Sequence, residues 1–344
     1  MVKTGINTHM IVLAREARGL AQNELAERIG MSATNLSKIE RGDIGISDEV
    51  LEAIADATGY PPHFFEQEGA PVPEHLAYRK RQVVAQKLLT PITARANILR
   101  RHVQFLTRAL AVEIPLVPHL ALGEGMTPEQ AAARLRKLWK IDTPLIANLT
   151  RTVEEQGIAV APFDFGTERV DSRSMLTEDG YPIIFLNRTL LGDRLRFSLA
   201  YELGQLVLHT GVAVGPERDI VSEANAFAAA LLLPGKEVRQ DLEEGVTVAR
   251  LAQLKKKWKV SMIALLYRAD DLGLLTPNQK RYLLQQFNSA GIRRREPPEL
   301  DVAIEEPRLV KRWLADYRAR TRLGTVELAA VLHLNVDEYL ELYS

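Results

Sequence analysis

The chain has 344 residues, 44 basic against 44 acidic side chains, and no cysteine. That length calls for two or three domains, and the missing Cys excludes disulfides and thiolate metal sites. With no long apolar run to span a bilayer and no signal-peptide core, the expectation is a cytoplasmic protein with no membrane partner, whose other partners must be read from where its charges lie.

Residues 9–66 predict a compact helical unit. Met10, Leu13, Ala14 and Ala17 recur at helical spacing, and Leu25, Ala26 and Ile29 do so over 22–29. Gly30-Met31-Ser32 predicts a tight turn, with Ser32 as the N-cap of a third helix over 33–40. Leu36 and Ile39 point inward, Gly42 is placed to end that helix, and a fourth is predicted over 48–58. Two short helices joined by a three-residue glycine turn form the helix-turn-helix pattern.

The runs 14–22, 24–32 and 36–42 resemble the Xre/Cro-type helix-turn-helix almost position by position. The resemblance implies that the helix over 33–40 enters the major groove of double-stranded DNA. Its outward residues Ala33, Thr34, Asn35, Ser37 and Lys38 are short or polar, suited to base edges and nearby phosphates. Gln22 stands where that family contacts backbone phosphate, and Arg41 is a second phosphate candidate. Residues 1–70 hold 6 Lys/Arg and 11 Asp/Glu, so the acids from Asp43 to Glu68 must face away from DNA.

The sign then inverts. From His75 to Val112 there are 8 basic residues and no acid: Arg79, Lys80, Arg81, Lys87, Arg95, Arg100, Arg101 and Arg108. Pro71 and Pro73 mark a linker, Pro91 splits the stretch, and a helix is expected from Ile92. The basic run reads as a solvated face, as a track along phosphates, or as a mate for an acidic surface such as 43–68. Thr127-Pro-Glu-Gln predicts a capped helix start, a further helix is predicted over 145–156, and strands over 158–163 and 181–187 with another near 174–177.

Asp193 to His209 predicts one buried helix, with Leu195, Leu199, Leu203 and Leu206 in an apolar stripe. Tyr201 and Gln205 are four apart, with Glu202 beside Tyr201. Zinc peptidases use His-Glu-x-x-His at this spacing: two imidazoles grip the metal and the Glu takes a proton from its water. Here both histidines are absent.

Residues 196–209 resemble the Arg-Phe-Thr-Leu-Ala-His-Glu-Leu-Gly-His helix of the ImmA/IrrE metallopeptidases, and Glu223-Ala-Asn-Ala-Phe to Pro234 resembles a second segment of that family. The resemblance implies that Glu223 stands at the third metal ligand. A phenol with a reference pKa of about 10 and a neutral carboxamide are poor zinc donors. Tyr201, Glu202, Gln205 and Glu223 are therefore expected to form a degenerate site without catalytic residues, metal or cofactor. Tyr201 and Gln205 are expected to donate hydrogen bonds to Glu223. His209, more than about 10 Å along the helix from Tyr201, is expected to be a poor substitute ligand.

Residues 251–272 predict a helix pair with a short turn at Ser261. Lys255, Lys256, Lys257 and Lys259 leave open a second nucleic-acid contact beside the plainer reading, a helix pair closing the fold. Residues 289–307 predict a loop, and 309–342 a small helical tail.

The expected fold is mainly α with a small β-sheet: an N-terminal helix-turn-helix bundle, an α+β zincin-like pseudo-peptidase domain and a helical C-terminal region. Boundaries are expected at 1–70, 71–118 (basic helical linker), 119–275 and 276–344. The expected function is sequence-specific transcriptional regulation as a homodimer, with the degenerate domain sensing a small-molecule effector or a protein partner. An antitoxin-type repressor that binds a toxin through its C-terminal domain is the alternative, and an active zinc peptidase the third reading.

Overall fold

A computed structural model describes all residues except 1, 4, 71–78, 81–83, 121, 124, 212–216 and 344. Pro71, Pro73, His75 and Arg81 lie outside the described residues. The architecture is mainly helical with a small mixed sheet, as the periodicities predict.

The N-terminal unit comprises α1 (Thr8–Ala17), α2 (Gln22–Arg28), α3 (Ala33–Glu40) and α4 (Asp48–Thr58). Its turn is set locally. Gly30 takes φ +66°, a value open to glycine at little cost, and the Ser32 hydroxyl accepts the Asn35 amide to cap α3. Gly59 at φ +68° ends α4. Leu13, Leu25, Leu36, Leu51 and Ile54 fill the centre, and a short β1 (Val2–Lys3) pairs antiparallel with β2 (Ile46–Ser47).

β3 (Arg79–Lys80) precedes α5 (Gln86–Ala109), which runs straight through Pro91 rather than starting after it. Pro91 sits in the second turn, so the missing N–H leaves only the Lys87 carbonyl without its helical partner. Lys87 of α5 is exposed, while its arginines turn to protein. Arg100 is fully buried, bonded to Asn97 and Gln104 at 3.2 Å, and desolvation pulls its pKa down to about 10. Arg101 donates to the Glu68 carbonyl at 2.8 Å, and Arg108 grips Asp179 at 2.6 Å. Acidic mates of this helix are thus Asp179 and neighbouring Glu178, and Arg101 also reaches a backbone carbonyl of the 43–68 stretch.

The second half begins with α6 (Pro128–Leu138), started by a Thr127–Gln130 capping box, and α7 (Leu149–Glu155), shorter than expected because Asn148 caps it. Strands β4 (Ala159–Phe163), β5 (Val170–Leu176) and β6 (Pro182–Asn187) follow. The sheet order is β3-β5-β6-β4, with β4 parallel to β6 and the other pairs antiparallel. Helices α8 (Gly192–His209), α9 (Ile220–Leu232), α10 (Gly235–Leu242), α11 (Val248–Trp258), α12 (Met262–Asp271) and α13 (Pro277–Ser289) cover one face. The chain closes with α14 (Leu309–Thr321), α15 (Thr325–Val331) and α16 (Val336–Tyr343).

The sheet divides two cores. Ile184 and Leu186 of β6 face α8 and α9, while Ile183 and Phe185 face α5, the N-terminal unit and α14. Burial on both faces explains why this strand reads as an unbroken apolar run. Gly204 of α8 lets α9 approach: a Cβ there would lie 2.9 Å from the Phe227 ring.

In the second core face, His102 of α5 is buried with Nδ1 2.8 Å from the Tyr343 hydroxyl. Desolvation, aided by His333 and Arg101, pushes its pKa down to about 3. The unfolded chain takes up this proton near pH 6.5, so stability held above that pH drains as pH falls towards 3. His102→Gln is expected to flatten the urea-midpoint profile between pH 6.5 and 4 relative to the parent. An unchanged profile would refute the assignment.

Candidate DNA-reading surface and the altered peptidase-type site

Ala33, Thr34, Asn35 and Lys38 are exposed along α3 and Ser37 is half-buried, while Leu36 and Ile39 anchor the opposite face. The geometry brings the five outward residues together on one surface. Gln22 and Arg41 are held by protein groups. Gln22 donates to Glu40 at 2.7 Å, and Glu40 also takes a two-pronged bond from Arg15 at 2.7 and 3.2 Å. Arg41 pairs with Asp43 at 2.8 Å, so phosphate contact by Arg41 requires exchange of that surface pair.

The lysine run of α11 and its C-cap, left open above as a nucleic-acid contact, is largely spent inside the fold. Lys255 is buried between Asp193 and Glu296, Lys257 grips Asp241, and Lys259 donates to the Ala147 carbonyl, each at 2.7 Å. This arrangement matches the plainer reading, a helix pair closing the domain.

On α8, Tyr201, Glu202 and Gln205 are fully buried. Glu202 accepts three bonds of 2.8 Å, from the Ser172 hydroxyl and from the Ser174 hydroxyl and amide of β5. Those serines, silent in the sequence reading, fix the carboxylate against the sheet. Gln205 donates to the Tyr201 hydroxyl at 2.8 Å, and its Oε1 lies 2.8 Å from His209 Nδ1. His209 Nε2 lies 2.8 Å from Glu223, and Arg218 clamps the same carboxylate at 2.7 and 3.1 Å.

The expected bonds from Tyr201 and Gln205 to Glu223 are therefore replaced. His209 stands between them, one turn beyond Gln205, where the first turn of α9 meets the C-terminal end of α8. The signal was present in the sequence as a second i, i+4 step, from 205 to 209. Burial pushes the His209 pKa down while Glu223 opposes the shift; the Arg218 hydrogen bond holds the Glu223 carboxyl below its usual range against desolvation, and His209 adds to the lowering. With the amide as placed, both ring nitrogens of His209 face acceptors; a ring that is neutral and gives its one N–H to Glu223 requires the Gln205 amide turned over, with the Tyr201 hydroxyl then donating to Gln205 Oε1.

This donor set does not suit zinc. Two positions offer a phenol and a carboxamide, Glu202 is saturated by β5, and the His209–Glu223 pair is bound to a cation, Arg218. Among the described residues no group of three His, Cys, Asp or Glu is placed to hold a metal. Among the same residues no helix is long and apolar enough to cross a membrane.

Comparison with protein families matches residues 11–65 to a helix-turn-helix family and residues 153–270 to the IrrE N-terminal-like domain of the M78 peptidases. No curated protein matches the chain. The first match spans α1 to the segment after α4, and the second runs from the end of α7 through nearly all of α12, enclosing the Tyr201–Glu223 network. The chain thus joins an Xre-type, DNA-binding helix-turn-helix domain to an ImmA/IrrE-like domain.

Proposed function

We propose that the protein is a sequence-specific transcriptional regulator that binds its operator as a dimer, and that its ImmA/IrrE-like domain is a sensor or partner-binding domain without peptidase activity. The observation that carries the second part is the hydrogen-bonded chain Tyr201–Gln205–His209–Glu223–Arg218, which occupies the ligand positions with bonds internal to the protein. The reading helix supports the first part, since a single head makes few base contacts and a two-fold operator doubles them.

A cleft of about 1100 Å³ beside α8, α9 and α12, bordered by Phe197, Asn225, Tyr267 and Arg294, supports the sensing role. A ligand there would act by binding one arrangement of the heads better than another. Gel shifts on the upstream promoter region, with salt titration, test operator binding; absence of any sequence-specific shift would end the reading.

Metal analysis tests the rest. The purified protein is expected to contain no stoichiometric zinc, and the double variant Tyr201→His with Gln205→His is expected to take up one zinc per chain. Stoichiometric zinc in the unaltered protein, lost on Glu223→Ala, would make it a metalloenzyme instead.

A further inference from the structure

The last three helices repeat the reader. A single shift places α2 (Gln22–Arg28) on α15 (Thr325–Val331) and α3 (Ala33–Glu40) on α16 (Val336–Tyr343): 325 less 22 and 336 less 33 both give 303. The same shift carries Glu24-Leu25-Ala26 onto Glu327-Leu328-Ala329, Arg15 onto Arg318 and Leu20 onto Leu323.

Backbone geometry follows. Gly19 at φ +69° falls on Arg322 at +59°, and Gly30 at +66° on His333 at +56°. The bond from Met31 N to the Ala26 carbonyl (2.8 Å) recurs from Leu334 N to the Ala329 carbonyl (2.9 Å). Buried Leu25, Ala26 and Leu36 correspond to buried Leu328, Ala329 and Tyr339. Left-handed backbone at Arg322 and His333 costs about 1 kcal/mol each in a residue with a Cβ, so the turn form is imposed by the fold.

What differs is the reading face. Thr34, Asn35, Ser37 and Lys38 become Asp337, Glu338, Leu340 and Glu341. Three carboxylates there repel phosphate. The surface instead meets the N-terminal unit. Glu338, in the place of Asn35, takes two bonds from Arg18 at 2.8 and 3.2 Å. Asn335, in the place of the cap Ser32, donates to the Gly59 carbonyl at 3.0 Å, and the Ala330 carbonyl lies 3.1 Å from His63 Nε2. Arg18 is fixed in advance, 4.2 Å over the Tyr60 ring and bonded to the Thr58 carbonyl at 2.6 Å. None of the outward residues of α3 is used.

We propose that residues 309–343 are a second helix-turn-helix unit whose reading face has become a protein-docking surface, and that its partner is the chain's own reader at Arg18, Gly59 and His63. The same unit also packs on α5 and on the sheet, through Phe105–Tyr317 and Tyr181–Trp313 edge contacts. It therefore sets the angle of the reader on the body, independently of whether the body senses a ligand.

The cysteine-free chain accepts a spin-label pair at the exposed positions Glu52→Cys and Asp337→Cys. Pulsed electron resonance is expected to give one narrow distance distribution. Glu338→Arg, which sets two guanidinium groups face to face, should broaden it, whereas Glu338→Gln, which retains an acceptor for Arg18, should leave it narrow. If Glu338→Arg melts α16 by circular dichroism, Asn335→Ala supplies the milder break and should also broaden the distribution. A narrow distribution in the folded break variant overturns the docking role. So does operator binding that survives Asn35→Ala with Lys38→Ala and is lost on Asp337→Ala with Leu340→Ala, since that would make the second unit a reader.

Discussion

Replacing Asn35 and Lys38 together by alanine is expected to abolish specific operator binding while leaving the fold intact. Both side chains are exposed on α3, and among the described residues neither side chain makes a hydrogen bond or ion pair within the protein. An Asn held against adenine contributes about 1–3 kcal/mol of discrimination, so its loss alone lowers affinity roughly ten- to hundred-fold for that base pair. On the proposed reading Lys38 meets phosphate, so its removal should weaken binding to all sequences and reduce the salt slope by about 1. Fluorescence anisotropy with a promoter fragment and a scrambled control separates the two effects. Unchanged affinity and slope would show that α3 is not the reading helix.

The second large effect concerns stability. Lys255 is buried with its ammonium 2.7 Å from both Asp193 and Glu296, tying α11 to the start of α8 and to the segment before residue 298. Burial alone would lower the Lys255 pKa; the two carboxylates outweigh it and the pKa is raised. Lys255→Ala leaves two carboxylates buried without their cation, at a cost of about 3–5 kcal/mol. At roughly 2–4 °C per kcal/mol for a domain of this size, thermal unfolding should begin about 10 °C earlier. Removing all three charges, with Lys255→Met, Asp193→Asn and Glu296→Gln, should recover most of the loss, because no bare charge remains buried. Calorimetry on the two variants decides it. A single variant as stable as the parent would show that the ammonium is dispensable.

The reader was legible because its signals are local. Gly30, the Ser32 cap and the spacing of Leu25, Leu36 and Ile39 act within a few residues of one another, so reading them needs no partner chain. The exchange of two imidazoles for Tyr201 and Gln205 was equally plain, as motif residues sit on one helix. The helix-turn-helix at the C-terminus was also written in the sequence, in the second Glu-Leu-Ala, but its turn residue is His333 where a glycine signals the first. The cue that punctuates a turn was missing.

What sequence could not give was which groups face each other across distant elements. A run of arginines has the same appearance whether it meets phosphate or Asp179, and a lysine run does not announce that Lys255 lies between two acids. His209 looked remote when measured from Tyr201 along one helix; α9 crosses α8 and brings Glu223 to it. The sequence by itself determined most of the helices, their caps, the helix-turn-helix unit and the absence of His-Glu-x-x-His at 201–205, because each depends on neighbours within a turn or two. Tertiary structure decided the fate of the charges and the partner of each buried carboxylate, because burial and pairing depend on which surfaces the folded chain closes against one another.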